Sequence, residues 1–203
     1  MIGALLLTRF SSKREAKPTT EDKTLKQKIK NVQTGYSFKF ARVFVYQSSK
    51  PFGMACWFPR LILLSSGVIL KLSEEELEYV ILHEQAHIEL KHYLKQATLI
   101  IILALLGLVL INEFGLNLIF AAVLGLLFSL AQTVYIRKTE DEAENFTLEN
   151  LKDPHTMIKA IEKLAQINGV KIKKESFIRL LFFISPSYHH RILLAKKFIQ
   201  KAN

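Results

Sequence analysis

Cysteine and tryptophan each occur once in the 203 residues, and proline only five times. A single thiol, Cys56, excludes a disulfide framework and any zinc site built on several cysteines. Half of the residues are apolar, too many for a chain that stays disordered. Charge is missing from one long stretch: between residues 98 and 136 the only charged side chain is Glu113. Internal repeats and low-complexity tracts are absent.

The formal net charge is +10. It sits at the ends, +9 over residues 1–60 and +8 over 151–203, with net acidic segments bordering the uncharged middle. A nucleic-acid binder could have such ends, but it does not need such a middle, and no nucleic-acid motif is present. Cytoplasmic faces beside anionic lipid account for the basic ends more simply.

The run from Ala97 to Ile136 is ATLIIILALLGLVLINEFGLNLIFAAVLGLLFSLAQTVYI. A membrane span takes about 20 mostly apolar residues, so this run is long enough for two. Asn112-Glu113-Phe114-Gly115-Leu116-Asn117 is its one polar cluster and suits a turn. The expected spans are Tyr93–Ile111 and Leu118–Ile136. A buried hairpin of a soluble protein is the alternative, but a chain this short can hardly hide two helices that are apolar all round. Lys91, Lys95, Arg137 and Lys138 flank the run, and its loop carries no Lys or Arg. The positive-inside rule therefore puts both polar regions in the cytoplasm.

Met1–Leu7 is apolar but too short to span, and its basic residues follow rather than precede it. It reads as an interfacial anchor or the remnant of a longer hydrophobic segment, not a cleaved signal peptide. Residues 11–34 read as a polar linker or a solvated helix. Alternating Tyr36, Phe38 and Phe40 predict a strand over 35–47. Residues 48–53 read as a turn and Leu61–Leu64 as a short strand. Ser73 and Glu76 form a capping box, so a helix starts at Glu74 and runs past His87. Residues 137–150, 155–168, 175–183 and 188–201 also read as helices, broken by Pro154, Gly169 and Pro186. The organisation expected is a basic segment (1–34), a first catalytic half (35–96), a transmembrane hairpin (97–136) and a second catalytic half (137–203).

His83-Glu84-Gln85-Ala86-His87 carries the chemistry. His83 and His87 are four residues apart, so both imidazoles leave one helix face and can share a zinc ion. Glu84 stands beside them, where it can act as general base on a water activated by the metal. An unpartnered Glu and two His on an otherwise apolar helix would cost several kcal/mol. A catalytic zinc takes a third protein ligand. Glu140 is the candidate, because the hairpin returns Arg137-Lys138-Thr139-Glu140-Asp141-Glu142-Ala143-Glu144 to the side from which the chain left. Glu144 lies one turn on and can accept the N–H of a ligand histidine. Glu142, on another helix face, is expected to tolerate Ala. Tyr188, His189, His190 and Arg191 form a cluster that could stabilise an oxyanion, Arg191 best.

LSEEELEYVILHEQAHIELKH, two spans, RKTEDEAE, DPHTMIKAIEKL and SPSYHHRI stand in an order that resembles a known group. It is that of the membrane-embedded zinc metallopeptidases of the HtpX and CAAX-prenyl-endopeptidase type. The resemblance covers roughly residues 50–195, and KPFGMACWFPRLILL also resembles the segment before HExxH in BlaR-type membrane metallopeptidases. It implies His83, His87 and Glu140 as zinc ligands and Glu84 as the catalytic residue. It further implies His92 as a supporting residue and Arg191 as the arginine of the last motif. Glu144 stands where the family has Asp, Ser185 where it has His, and Gln85-Ala86 where Leu-Gly is common. The family usually has one or two further N-terminal spans, which this chain lacks.

The expectation is therefore an integral membrane zinc endopeptidase, mainly α with a small β-sheet, built around a two-helix transmembrane hairpin. It would hold one Zn²⁺ per chain and act on peptide or membrane-protein substrates with its active site in the cytoplasm. A substrate strand would pair beside Leu61, Ile62, Leu63, Leu64 and Ser65. The rival readings are a protease-type signal sensor and a catalytically silent membrane scaffold. Nucleic acid is not an expected partner, and the oligomeric state is open.

Overall fold

The computed structural model describes residues 20–34, 36, 38–115, 117–174, 176 and 183–202. The expectations for Met1–Leu7 and most of 175–183 lie outside them. The order is α1 (Thr20–Gln33), β1 (Arg42–Tyr46), β2 (Gly53–Cys56), β3 (Leu61–Ser65), α2 (Ser66–Lys71), α3 (Glu74–Glu89), α4 (His92–Phe114), α5 (Leu118–Asn150), α6 (His155–Ile167) and α7 (Tyr188–Ala202). This is the mainly helical fold with a small sheet and two candidate membrane spans.

Helix α3 is the axle of the polar domain. Its start is set by the capping box: the Glu76 N–H donates to Ser73 Oγ at 3.1 Å and the Ser73 N–H to Glu76 Oε2 at 2.8 Å. Two of the donors a helix start leaves orphaned are satisfied in this way. Leu77, Tyr79, Val80, Ile81 and Leu82 are all buried, so α3 is enclosed on every side. Leu25 and Ile29 of α1, Ile62 and Leu64 of β3, Leu148 of α5, Ile161 of α6 and Ile192 of α7 share its core. Residues from both sides of the hairpin thus form one hydrophobic body.

The sheet order is β1-β3-β2, with β3 parallel to β1 and antiparallel to β2. This overturns the expectation of a substrate beside Leu61–Ser65. β3 is the central strand, and both its edges are taken, Leu63 by Phe44 on one side and by Met54 on the other. The edge near the site belongs to β2, whose outer side no described strand covers; only Gly53 of it falls in the segment expected to be turn. The strand expected over 35–47 is confined to 42–46. Tyr36, Phe38 and Phe40 instead fold into a ring cluster with centroids 4.9–5.3 Å apart. Helix α2, unanticipated, begins where Ser65 Oγ accepts the Val68 N–H at 3.3 Å. The Lys28 ammonium closes its end on the Ile69 and Leu72 carbonyls.

Helices α4 and α5 are each long and apolar enough to span a bilayer. Only 6% and 11% of their most apolar stretches is buried, which removes the reading of a hidden core hairpin. They touch each other closely where Gly107 meets the Phe128 ring; a Cβ there would stand 3.2 Å from it. Gly115, at φ +76°, makes the corner between them, and Asn117 Oδ1 caps α5 by accepting the Ile119 N–H at 2.8 Å. The first span is longer than expected, and α5 continues unbroken from the second span through the acidic segment. No proline or glycine between Leu126 and Asn150 interrupts it.

Candidate metal centre

Helix α3 presents His83, Glu84 and His87, and α5 presents Glu140, Asp141, Glu142 and Glu144. Helix α7 adds His190 and Arg191. His83 Nε2 and His87 Nε2 are 3.3 Å apart. Glu140 Oε2 is 3.6 Å from His83 Nε2, and Glu140 Oε1 is 3.5 Å from His87 Nε2. These three residues are the group of donors, among the described residues, close enough to hold a metal ion. A tetrahedral zinc with bonds of about 2.0–2.1 Å sets its ligands about 3.3–3.4 Å apart. The triangle matches that edge length, and two imidazoles with one carboxylate suit the ion. The donor set fits zinc.

Each donor is braced from behind. His83 Nδ1 lies 3.4 Å from Glu144 Oε1, which also accepts the Tyr79 hydroxyl at 3.1 Å. Arg191 Nη1 lies 3.1 Å from the same Glu144 oxygen, and its Nη2 donates to Glu140 Oε2 at 2.8 Å. Arg191 is thus engaged by both glutamates and stands behind Glu140, rather than standing free in the cavity for the oxyanion role expected of it. His87 Nδ1 and His92 Nδ1 are 2.9 Å apart, and His92 Nε2 lies 3.3 Å from Glu142 Oε2. A metal on His87 Nε2 leaves its Nδ1 as donor, so His92 accepts there and donates from Nε2 to Glu142. Glu142, expected to be dispensable, thus closes this chain, with Lys95 Nζ 3.6 Å from it. His190 leans on Asp141 at 2.9 Å instead of facing the donors.

Glu84 turns towards β2, where it accepts a hydrogen bond from the Ala55 backbone. A Cβ on Gly53 would stand 2.9 Å from Glu84 Oε1, so glycine there leaves room for the carboxylate. Burial pushes this carboxyl up to about 7, against the pull of the His83 charge. Burial also lowers His83, but the Glu144 charge and the hydrogen bonds to Glu140 and Glu144 outweigh it and lift the imidazole to about 10. His87 is driven down to about 3 by burial and by the neighbouring His83 charge. The carboxylates thus retain one positive charge between the imidazoles, the place a dication takes on releasing that proton. Arg191 is held firmly protonated: burial opposes its charge, and Glu144 more than restores it.

A cavity of about 700 Å³ opens over this cluster. Gly53 and Met54 of β2, Tyr93 and Gln96 of α4, Ile136 of α5, and Ile184 and Tyr188 are among the residues that line it. Sequence reasoning missed Tyr79, though its place four residues before His83 puts it on the ligand face. It also missed Gln85, whose Oε1 accepts the Ala41 N–H at 2.9 Å and ties the approach to β1 onto α3.

Two imidazoles one turn apart, a glutamate from a second helix and a buried glutamate beside them define a metallopeptidase type of site. Residues 19–198 match peptidase family M48, a family of zinc metallopeptidases, and the chain belongs to that family. The crystal structure of S. mikatae Ste24p is similar in fold, with a TM-score of 0.66 at 15% identity. The match covers 84% of this chain and 49% of that one, so the chain spans about half the length of that protein. No curated protein matches the chain in sequence.

The raised Glu84 carboxyl has a consequence for stability. Unfolded, it ionises near 4.5; folded, near 7. Between these values only the unfolded chain gives up the proton, so stability falls as pH rises and the full cost is reached above about 7. In chelator-treated protein, Glu84→Gln should therefore be more stable than wild type by a few kcal/mol at pH 8, with the gain shrinking towards pH 5. Thermal melts across that range check this; a gain independent of pH contradicts it.

Proposed function

We propose that the chain is an integral membrane zinc metalloendopeptidase, with His83, His87 and Glu140 as ligands and Glu84 as general base. The observation that carries the reading is the donor triangle of 3.3–3.6 Å with buried Glu84 beside it, lining a cavity that also reaches β2, whose outer edge no described strand covers. A zinc ion held there supplies Lewis acidity, polarising a peptide carbonyl and acidifying water next to it. Glu84 takes a proton from that water and passes it to the leaving amine; a carboxyl tuned near neutrality suits both steps. Arg191 and Tyr79 hold Glu140 and Glu144 in place, and His92 with Glu142 fixes the ring of His87.

The substrate lies extended along the open edge of β2, Gly53–Cys56, so that its backbone pairs there and its scissile bond crosses the donors. This replaces the β3 assignment, which the central position of that strand rules out. Peptides and membrane proteins are the substrate class. The basic flanks Lys91, Lys95, Arg137 and Lys138 orient the site to the cytoplasm.

Glu84→Gln should retain one zinc per chain and lose peptidase activity by about 10²–10⁴-fold, because it removes only the proton carrier. A variant that keeps zinc and cleaves as fast as wild type contradicts the mechanism. Orientation is checked by cysteine labelling of intact cells in a Cys56→Ser background. A cysteine replacing Asn117 should react with an impermeant reagent and one replacing Lys152 should not; the reverse pattern places the site outside.

A further inference from the structure

A hydrocarbon core of about 30 Å takes about 20 residues of helix at 1.5 Å each. Counted back from the Gly115 corner, 20 residues of α4 reach Lys95; counted forward from Leu118, 20 residues of α5 reach Arg137. Both ends fall on a cation: Lys95 is exposed, and Arg137 is buried against the polar domain. Lys95 and Arg137 therefore mark the level at which the bilayer ends on the site's side.

Two apolar elements of the polar domain lie near the ends of these spans on the site's side, one bonded to Arg137 and one to the end of α3 that precedes α4. The first is the tip of the β2–β3 hairpin, Trp57-Phe58-Pro59-Arg60. It is tethered by the Arg60–Glu89 ion pair at 2.5 Å to the last residue of α3, three residues before α4 begins. Cys56, the residue before the tip, lies within electrostatic reach of the Tyr93 hydroxyl. Trp57 is packed partly on the core, while the Phe58 ring is 84% exposed. The second is Phe183-Ile184, fixed to the base of α5 by the Arg137 Nη1 hydrogen bond to the Phe183 carbonyl at 3.0 Å. Both its side chains are about half exposed, 53% and 52%. Single exposed apolar residues are ordinary on a protein surface. These differ in being tied by arginines, one to the end of α3 just before α4 begins and one to α5 where it leaves the membrane. Aromatic rings beside cations are the composition that the headgroup boundary favours.

We propose that the Trp57–Arg60 hairpin tip and the Phe183–Ile184 segment form a second membrane contact, entering the headgroup boundary of the bilayer that α4 and α5 cross. The partner is the phospholipid surface itself, continuous with the surface of the spans. The two contacts stand at the bases of different helices, so they set the tilt of the polar domain. They also border the cavity: Tyr93, Ile136 and Ile184 line it on this side. Its mouth is thereby held at the bilayer surface. The inference rests on α4 and α5 being membrane spans.

Trp57 is the chain's one tryptophan, which makes the test direct. The full-length protein is reconstituted in phosphatidylcholine–phosphatidylglycerol vesicles, with the phosphatidylcholine brominated either near the glycerol end or near the tail end of its chains. Three reporters are added in a Trp57→Phe background: Phe58→Trp, Ile184→Trp and Leu108→Trp. Trp57, Phe58→Trp and Ile184→Trp should each lose about half or more of their emission to shallow bromines and little to deep ones, the pattern of groups buried about 5–10 Å into the boundary. Leu108→Trp should be quenched by deep bromines. If Leu108→Trp responds while either the tip or the 183–184 reporter is quenched by aqueous iodide and not by bromolipid, the two-point contact is wrong although the spans stand. Protection of these reporters from both quenchers means that another copy of the chain covers them, and equally overturns it. If Leu108→Trp itself escapes deep bromines, the membrane reading has failed and the contact with it.

Discussion

The donor triangle joins two helices, α3 and α5, that the chain separates by a complete excursion into the apolar hairpin. Everything else in the architecture serves to make their meeting rigid. The hydrophobic run must cross an even number of times, or Glu140 emerges on the wrong side. The second span must run on into the site without a break, and α5 does so over 33 residues. Glu140 lies three residues past Arg137, about 4.5 Å of helix rise, so the proposed metal site sits just beyond the end of the hydrocarbon. Any bend between those residues would move Glu140 away from the two histidines on α3.

Bringing Glu84, Glu140, Glu144 and two imidazoles together in a buried place is expensive unless the charges are matched. Arg191 is the internal counter-charge, bonded to both Glu140 and Glu144, and Tyr79 adds a neutral donor to the latter. On the other flank, His92, Glu142 and Lys95 extend from His87 towards the end of the span.

Much of this was legible in local signals. The capping box at Ser73, the four-residue spacing of His83 and His87, and the nearly charge-free run each act within a turn or two of helix. The end of α5 was harder to place, because only the lack of a breaker after Ile136 says that the helix goes on. The sheet was least legible. Leu61–Leu64 reads as a strand, but nothing in five residues says whether its edges are free. That depends on β1 and on the four-residue β2, whose Gly-Met-Ala-Cys carries little strand propensity. The role of Arg191 depends on how α7 docks on α5, a long-range contact no local pattern encodes. The contact of Glu142 was hidden for the same reason: its partner, His92, belongs to the other helix of the hairpin.

X-ray absorption at the zinc edge of the purified protein tests the central claim most directly. The account predicts one zinc per chain in a shell of nitrogen and oxygen only, with two imidazoles, and a measurable loss of oxygen coordination or of zinc itself in Glu140→Ala. A shell containing the Cys56 sulfur, or a spectrum and zinc content unchanged by Glu140→Ala, would contradict a site shared across the membrane hairpin.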